Sequence, residues 1–160
     1  MVEHLRYPPL PDVAAAGALV AAALVDPDRV AYAQRLGDGT FVGTTSFYEI
    51  SPAARAVAIG HTWVARPWWR TFVNTESKLA MLTRAFDDLG AERVVWHTDI
   101  RNVRSQEAIA RLGARHEGVL RHHRIRRDGS WRDTVQLAML ADEWPAVRAR
   151  LRARLAEHAG

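Results

Sequence analysis

The sequence predicts an α/β fold, a twisted, mixed and mostly antiparallel sheet flanked by helices, organised as one domain over residues 1–160. Three observations predict it. Two segments, Val57 to Leu89 and Arg93 to Gly113, each read as an apolar run, a polar turn and then apolar residues at helical spacing. Two tight-turn signals, Gly37-Asp38-Gly39-Thr40 and Asp128-Gly129, each join strand-like runs. The composition, 48% hydrophobic and 25% charged, is that of a globular chain long enough to bury a core.

The elements follow in order. Met1 to Pro11 carries Pro8, Pro9 and Pro11 and should be extended or irregular. Asp12 can cap a helix running to about Leu24, which Pro27 stops; its alanine-rich face predicts close packing. Val30 to Leu36 and Phe41 to Ile50 read as paired strands, Ser51-Pro52 ends the second, and Val57 to Val64 is a third. A helix follows with apolar positions Leu79, Leu82, Phe86 and Leu89. In the strand Arg93 to Thr98, Val94 and Trp96 share one face, Val95 and His97 the other. A short helix is closed by Gly113, and Arg115 to Arg126 with Arg132 to Leu140 forms a long hairpin. The last helix takes Asp142 as cap and buries Trp144, Val147, Leu151 and Leu155, leaving Arg148, Arg150, Arg152 and Arg154 on solvated faces. No repeat or linker marks a second domain.

Composition also excludes some chemistry. With no cysteine there is no disulfide framework, thiolate nucleophile or Cys-ligated metal. His122-His123 would point to opposite strand faces, so they make no metal site, and no metal is expected. The longest apolar run, Val13 to Val25, is too short to span a bilayer and follows no basic leader, which predicts a cytoplasmic protein without a membrane partner. The net charge is +4 with a pI near 10.3, and only one of the 22 basic residues, Lys78, is a lysine. Arginine suits a polyanionic ligand, yet the same bias follows from a GC-rich genome, and the charges are spread along the chain. No clustered basic helix lies beside exposed aromatics, so a nucleic-acid partner is not expected.

Chemistry concentrates in two strand-to-helix turns. In Ile59 to Lys78 the first helical turn presents free amides, which with the helix dipole favour an anion; Arg70 adds a charge, and Thr71, Asn74 and Thr75 add small polar groups. In Thr98 to Ala114, Asp99, Asn102 and Ser105 form D-x-x-N-x-x-S ahead of a helix ending in Leu112-Gly113. Together these segments resemble the acyl-CoA-binding core of the GNAT N-acetyltransferase superfamily, in particular its RimJ/RimL-like protein N-terminal acetyltransferase branch, over about Gly43 to Leu155. The usual pyrophosphate loop of that family is Q/R-x-x-G-x-G/A. Here it reads Trp69 to Asn74, with Phe72 and Asn74 at the small positions, similar to a subgroup carrying R-T-x-V-N-T-E-x-K. Family members usually begin with a strand and helix ahead of the one placed at Asp12, and the resemblance implies a fold lacking them. An edge left open in that way would need cover, charge or a second copy, so a homodimer is expected.

The resemblance implies acetyl-CoA as acyl donor and a primary amine, either a protein or peptide N-terminus or a small molecule, as acceptor, joined in a direct ternary complex. It implies that Trp63 and Val64 lie beside the pantetheine arm, that Arg70, Thr71, Val73, Asn74 and Thr75 surround the pyrophosphate, and that Asn102 and Ser105 make the second cofactor contact. The tyrosine that serves many members as general acid is replaced by Ile109, so Ser105 becomes the candidate proton donor to the thiolate. Both Asn102 and Ser105 also suit helix capping. The general base is sought among His61, Glu49, His97, Asp99, His122 and His123. His61 is favoured, since its strand should flank the acyl group and imidazole titrates near working pH. The alternative to an enzyme is a weak or inactive scaffold that binds acyl-CoA or another protein.

Overall fold

The computed structural model describes residues 12–157. The reading of Met1 to Pro11 lies outside the described residues. Four helices, α1 (Val13–Val25), α2 (Val73–Thr83), α3 (Val103–Leu112) and α4 (Trp144–Ala156), accompany six strands. The strands are β1 (Arg29–Arg35), β2 (Phe41–Ser51), β3 (Ala56–Val64), β4 (Arg93–Asp99), β5 (Arg115–Ile125) and β6 (Trp131–Leu140). They form one sheet in the order β1-β2-β3-β4-β6-β5, antiparallel everywhere except between β3 and β4. The predicted mixed, mostly antiparallel sheet is therefore present, with each strand within a residue or so of its expected limits.

The parallel pair positions everything else. β3 and β4 are paired only at Ala56↔Arg93, Val57↔Val94 and Ala58↔Val95, and beyond Ala58 the two strands make no further ladder pairs. A gap thus opens in mid-sheet. One sheet face is covered by α2, α3 and α4 over a core that includes Ile59, Leu82, Val94, Trp96, Leu112, Met139 and Trp144. Burying such side chains contributes about 1.5–3 kcal/mol each relative to leaving them exposed. Val94 and Trp96 face this core as predicted, which turns Val95 and His97 to the opposite face.

Local chemistry explains most boundaries. Asp12 caps α1, its Oδ1 accepting from the Ala15 amide at 2.8 Å. Gly113 ends α3 with φ 108°, a left-handed turn in which a Cβ would also lie 2.7 Å from Arg150 Nη2. Four expectations need correction. The alanine-rich α1 is not closely packed: none of its residues is buried, because small side chains on a helix that meets chiefly β1 shield little surface. α2 continues into a π-helical turn at Arg84–Asp88, which carries Leu89 to the surface at 55% exposure. Asp142 is not the cap of the last helix; Glu143 stands at that position without a side-chain bond to α4, its Oε2 instead accepting from the Leu140 amide at 2.9 Å to close the preceding 3-10 turn. Leu155 is half-buried, one turn beyond the last core residue, Leu151. Among the described residues no helix is long and apolar enough to cross a membrane.

Candidate active site at the parting of two strands

A cavity of about 460 Å³ occupies the gap between β3 and β4. Consecutive β4 residues Trp96, His97 and Thr98 all line it, although neighbouring strand side chains point to opposite faces. The cavity therefore passes through the sheet. A second hollow of about 380 Å³, lined by Glu49, Ala58, Val95, His97, His123 and Gln136 among others, lies on the face away from α2. His97 borders both.

At one end of the cavity stands the first turn of α2. Phe72 occupies the cap position and supplies no side-chain bond, so the leading amides are not capped from there. Only the Val73 amide has a local partner, Thr71 Oγ1 at 3.4 Å, while the Thr71 hydroxyl donates to the Trp68 carbonyl at 2.8 Å. Arg70 adopts φ 63°, a left-handed conformation that a non-glycine residue seldom takes and that sets its position at the mouth. Asn74 and Thr75 line the cavity, and Thr75 is buried. Arg104, Arg111 and Arg154 also line the cavity, and the Arg104 guanidinium lies 4.8 Å over the ring of Trp69 in the loop before α2. Cations grouped around free helix amides form a receptor for a polyanion such as a nucleotide pyrophosphate.

At the second turn, Asn102 caps α3 by accepting from the Ser105 amide at 3.2 Å, and both residues line the cavity. The capping role is thus present. Asp99 is a structural carboxylate: Arg126 grips it through two bonds of 2.7 and 2.9 Å. Burial raises its pKa, but Arg126 and the Arg101 amide outweigh that and hold the carboxyl below the usual aspartate range. It is not poised to take a proton.

The remaining predicted residues divide. His61, Val64, Arg70, Thr71, Asn74, Thr75, Asn102 and Ser105 all line the cavity. The side chain of Trp63 is not among the lining; it stacks on Phe41, ring centroids 6.3 Å apart. Val73 also points away, into a small core with Val42 and Val64. These two residues can face the gap only through their main chain, as the strand alternation and the helix stripe require. His122 stacks on Trp131 with ring centroids 5.0 Å apart. His123 lies beside His97, ring centroids 5.6 Å apart, and its buried Nδ1 has no hydrogen-bond partner. Burial, helped by the nearby Arg124 and His97, keeps the His123 imidazole below its ordinary value, against the pull of Glu49.

Several cavity residues were not singled out from sequence. Lys78, one turn beyond Asn74 on α2, is 5% exposed, and Nζ donates to Thr62 Oγ1 at 3.0 Å. That hydroxyl also bonds Thr45 Oγ1 at 2.9 Å. Burial brings the ammonium pKa down to about 8. Its being the only lysine in the chain was the available signal. Tyr48 and Arg154 gave none, since each reaches the site from an element remote in sequence. Arg154 is exposed, as its helix face predicts, and stands at the cavity's rim. Among the described residues no group of three His, Cys, Asp or Glu side chains could hold a metal.

Comparison with known proteins agrees with this geometry. Residues 2–115 match the profile of the family described as Acetyltransferase (GNAT) domain. A structure from T. thermophilus assigned as an acetyltransferase is 40% identical, with TM-score 0.88, over 96% of this chain and 81% of that one. A GCN5-related N-acetyltransferase from Brucella melitensis is 27% identical, with TM-score 0.90, over 95% and 69% of the two chains. Mycobacterium smegmatis RimJ in complex with CoA-disulfide is 26% identical, with TM-score 0.76, over 89% and 69%. No curated protein matches the sequence.

Proposed function

The chain belongs to the GNAT acetyltransferase family, and from that premise we propose that it transfers an acetyl group from acetyl-CoA to a primary amine in a direct ternary complex. The observation that carries the reading is the cavity through the sheet, with cations and free helix amides at one end and imidazoles within the gap.

Each residue then has a task. Amides of the first α2 turn, with Arg70, Thr71, Asn74, Thr75 and the main chain of Val73, hold the pyrophosphate, and Arg104, Arg111 and Arg154 neutralise the remaining phosphate charge. The main chain of β3 at Trp63 and Val64 has no ladder partner in β4 and bonds the pantetheine arm there. Asn102 holds the start of α3 so that the Ser105 hydroxyl faces the departing sulfur and gives it a proton. The amine proton leaves through the gap, whose lining holds two imidazoles, His61, the one favoured from sequence, and His97. Holding both reactants in one water-poor gap supplies much of the rate enhancement.

The acceptor belongs with α-amino groups of proteins or peptides, as in RimJ/RimL-like enzymes. The resemblance to the M. smegmatis RimJ structure supports this assignment. A homodimer fits β1 as an edge strand next to the exposed apolar helix α1.

Isothermal titration with acetyl-CoA, desulfo-CoA and ADP tests the cofactor half. Micromolar binding carried mainly by the pyrophosphate portion is expected, and Asn74→Asp should weaken it at least tenfold by setting a carboxylate against phosphate. Absence of binding at millimolar cofactor would reject the enzyme reading in favour of an interaction scaffold.

A further inference from the structure

Resting on the acyl-transfer reading above, we propose that Tyr48, His97 and Glu49 form a proton relay that takes the acceptor's proton from the gap and delivers it to the opposite face of the sheet. Tyr48 is the catalytic member, and His97 and Glu49 act through it.

The relay begins with a missing side chain. Tyr48 pairs with Ala58, the last β3 residue laddered to β4, and its ring leans across Gly60, where a Cβ would lie 2.6 Å from Tyr48 Cε1. Only glycine lets the ring cross β3 toward β4. The Tyr48 hydroxyl then meets His97 Nδ1 at 3.2 Å. On the other side of the imidazole, His97 Nε2 lies 3.1 Å from Gln136 Oε1, its direct cross-strand neighbour. The amide orientation of Gln136 is set from outside, because its Nε2 donates to Glu117 Oε2 at 3.0 Å and Glu117 is held by Arg93. Gln136 therefore turns its carbonyl oxygen to His97, and Nε2 must carry the ring proton. In the neutral ring Nδ1 is then without a proton, between the Tyr48 hydroxyl at 3.2 Å, which donates to it, and Glu49 Oε2 at 3.3 Å, which favours a proton arriving there.

Proton flow follows from that tautomer. As the acceptor ammonium gives its proton to the Tyr48 oxygen, the Tyr48 proton passes to His97 Nδ1, so one proton enters the relay and one neutral amine is formed. The amine nitrogen bonds to the thioester carbon, the carbon–sulfur bond breaks, and the thiolate takes a proton from Ser105, which the second amine proton restores. The His97 imidazolium is stabilised by Glu49, whose Oε2 lies 3.3 Å from Nδ1. Glu49 is 44% exposed at the second hollow and releases the proton to solvent there.

A bulge at Tyr48/Ser51, with Glu49 at φ 48°, aims this carboxylate across the strands, and Arg124 Nη2 anchors its other oxygen at 2.9 Å. The other groups near His97 are His123 from β5, ring centroids 5.6 Å away, Gln136 from β6, and His61 behind the Tyr48 ring at 5.3 Å, while Arg124 and Arg132 bear on the neighbouring His123. Arg132 is partnered with Asp99.

Imidazole nitrogen NMR of the intact protein tests the wiring without any acceptor. Neutral His97 is expected to carry its proton on Nε2, and Tyr48→Phe should move the Nδ1 resonance while sparing Nε2. A neutral ring protonated on Nδ1 would overturn the relay. Transfer from acetyl-CoA to tri-alanine supplies the second readout, with acetyl-CoA affinity measured alongside. His97→Gln and Tyr48→Phe should each lower kcat at least tenfold and flatten the acid limb of the pH–rate profile, with cofactor affinity changed less than twofold. An acid limb abolished by His61→Gln but kept by His97→Gln would instead make His61 the base and overturn the proposal. Failure of all variants and the parent to bind acetyl-CoA would strike the acyl-transfer reading, whereas binding with the wrong tautomer would strike the relay alone.

Discussion

Lys78 carries a charge into a place where charge is costly. Its Nζ is bonded to Thr62 Oγ1, and among the described residues no carboxylate forms an ion pair with it. The folded-state pKa of about 8 lies below the ordinary lysine value of 10.5, so between those values the unfolded chain binds more protons than the folded one. Stability then rises with pH across that window, and below 8 the full cost of the buried charge applies. Chemical denaturation of the wild type and Lys78→Met as a function of pH measures the difference. The variant should be the more stable at pH 7, by up to about 3 kcal/mol, and the gap should close by about pH 10.5. Ser105 makes a different demand. Ser105→Ala should lower kcat tenfold or more while changing acetyl-CoA affinity little, since the α3 cap uses the Ser105 amide and not its hydroxyl. Equal losses in both would leave the hydroxyl a binding role only.

At the scale of elements, the strands and the two turn-to-helix units were legible because alternation and capping residues are local properties: Asp12, Asn102 and Gly113 each do what their type predicts. Gly113→Ala should cost about 1 kcal/mol or more in thermal or chemical unfolding, through the left-handed backbone and the close Arg150 guanidinium. What sequence could not supply is how elements meet. The exposure of α1 depends on its few neighbours, and the π-helical turn after α2 meets α4, where Trp144 Nε1 and Arg148 both bond Asp87. The site divides the same way. Residues in the two turns were readable, as was His61 on β3, but Tyr48 and Arg154 reach the gap only through tertiary geometry. Glu49 and His97 were visible as isolated candidates, yet their contact depends on a bulge in β2, and the reach of Tyr48 to the same imidazole depends on a glycine in a third strand.

For the whole molecule, the edges of the sheet set the expected assembly. β1 closes one end, and Val13, Val20, Leu24 and Val25 of α1 stand exposed beside it. Sedimentation equilibrium should show a dimer that Val20→Glu with Leu24→Glu converts to monomer without loss of fold; a monomeric parent would refute the dimer. The centre of the sheet has a consequence of another kind. Three ladder pairs are all the strand pairing between β1, β2 and β3 on one side and β4, β6 and β5 on the other, with Tyr48 and Glu49 adding side-chain bonds across, so the sheet is two plates sharing a short seam. Such a seam makes the protein's softest direction of motion coincide with the slot its substrate enters. The main-chain amides between Gly60 and Val64 that point away from β2 should trade hydrogen for deuterium quickly in the free protein and slowly with acetyl-CoA bound, as the substrate takes the place of the strand contacts that β3 and β4 lack.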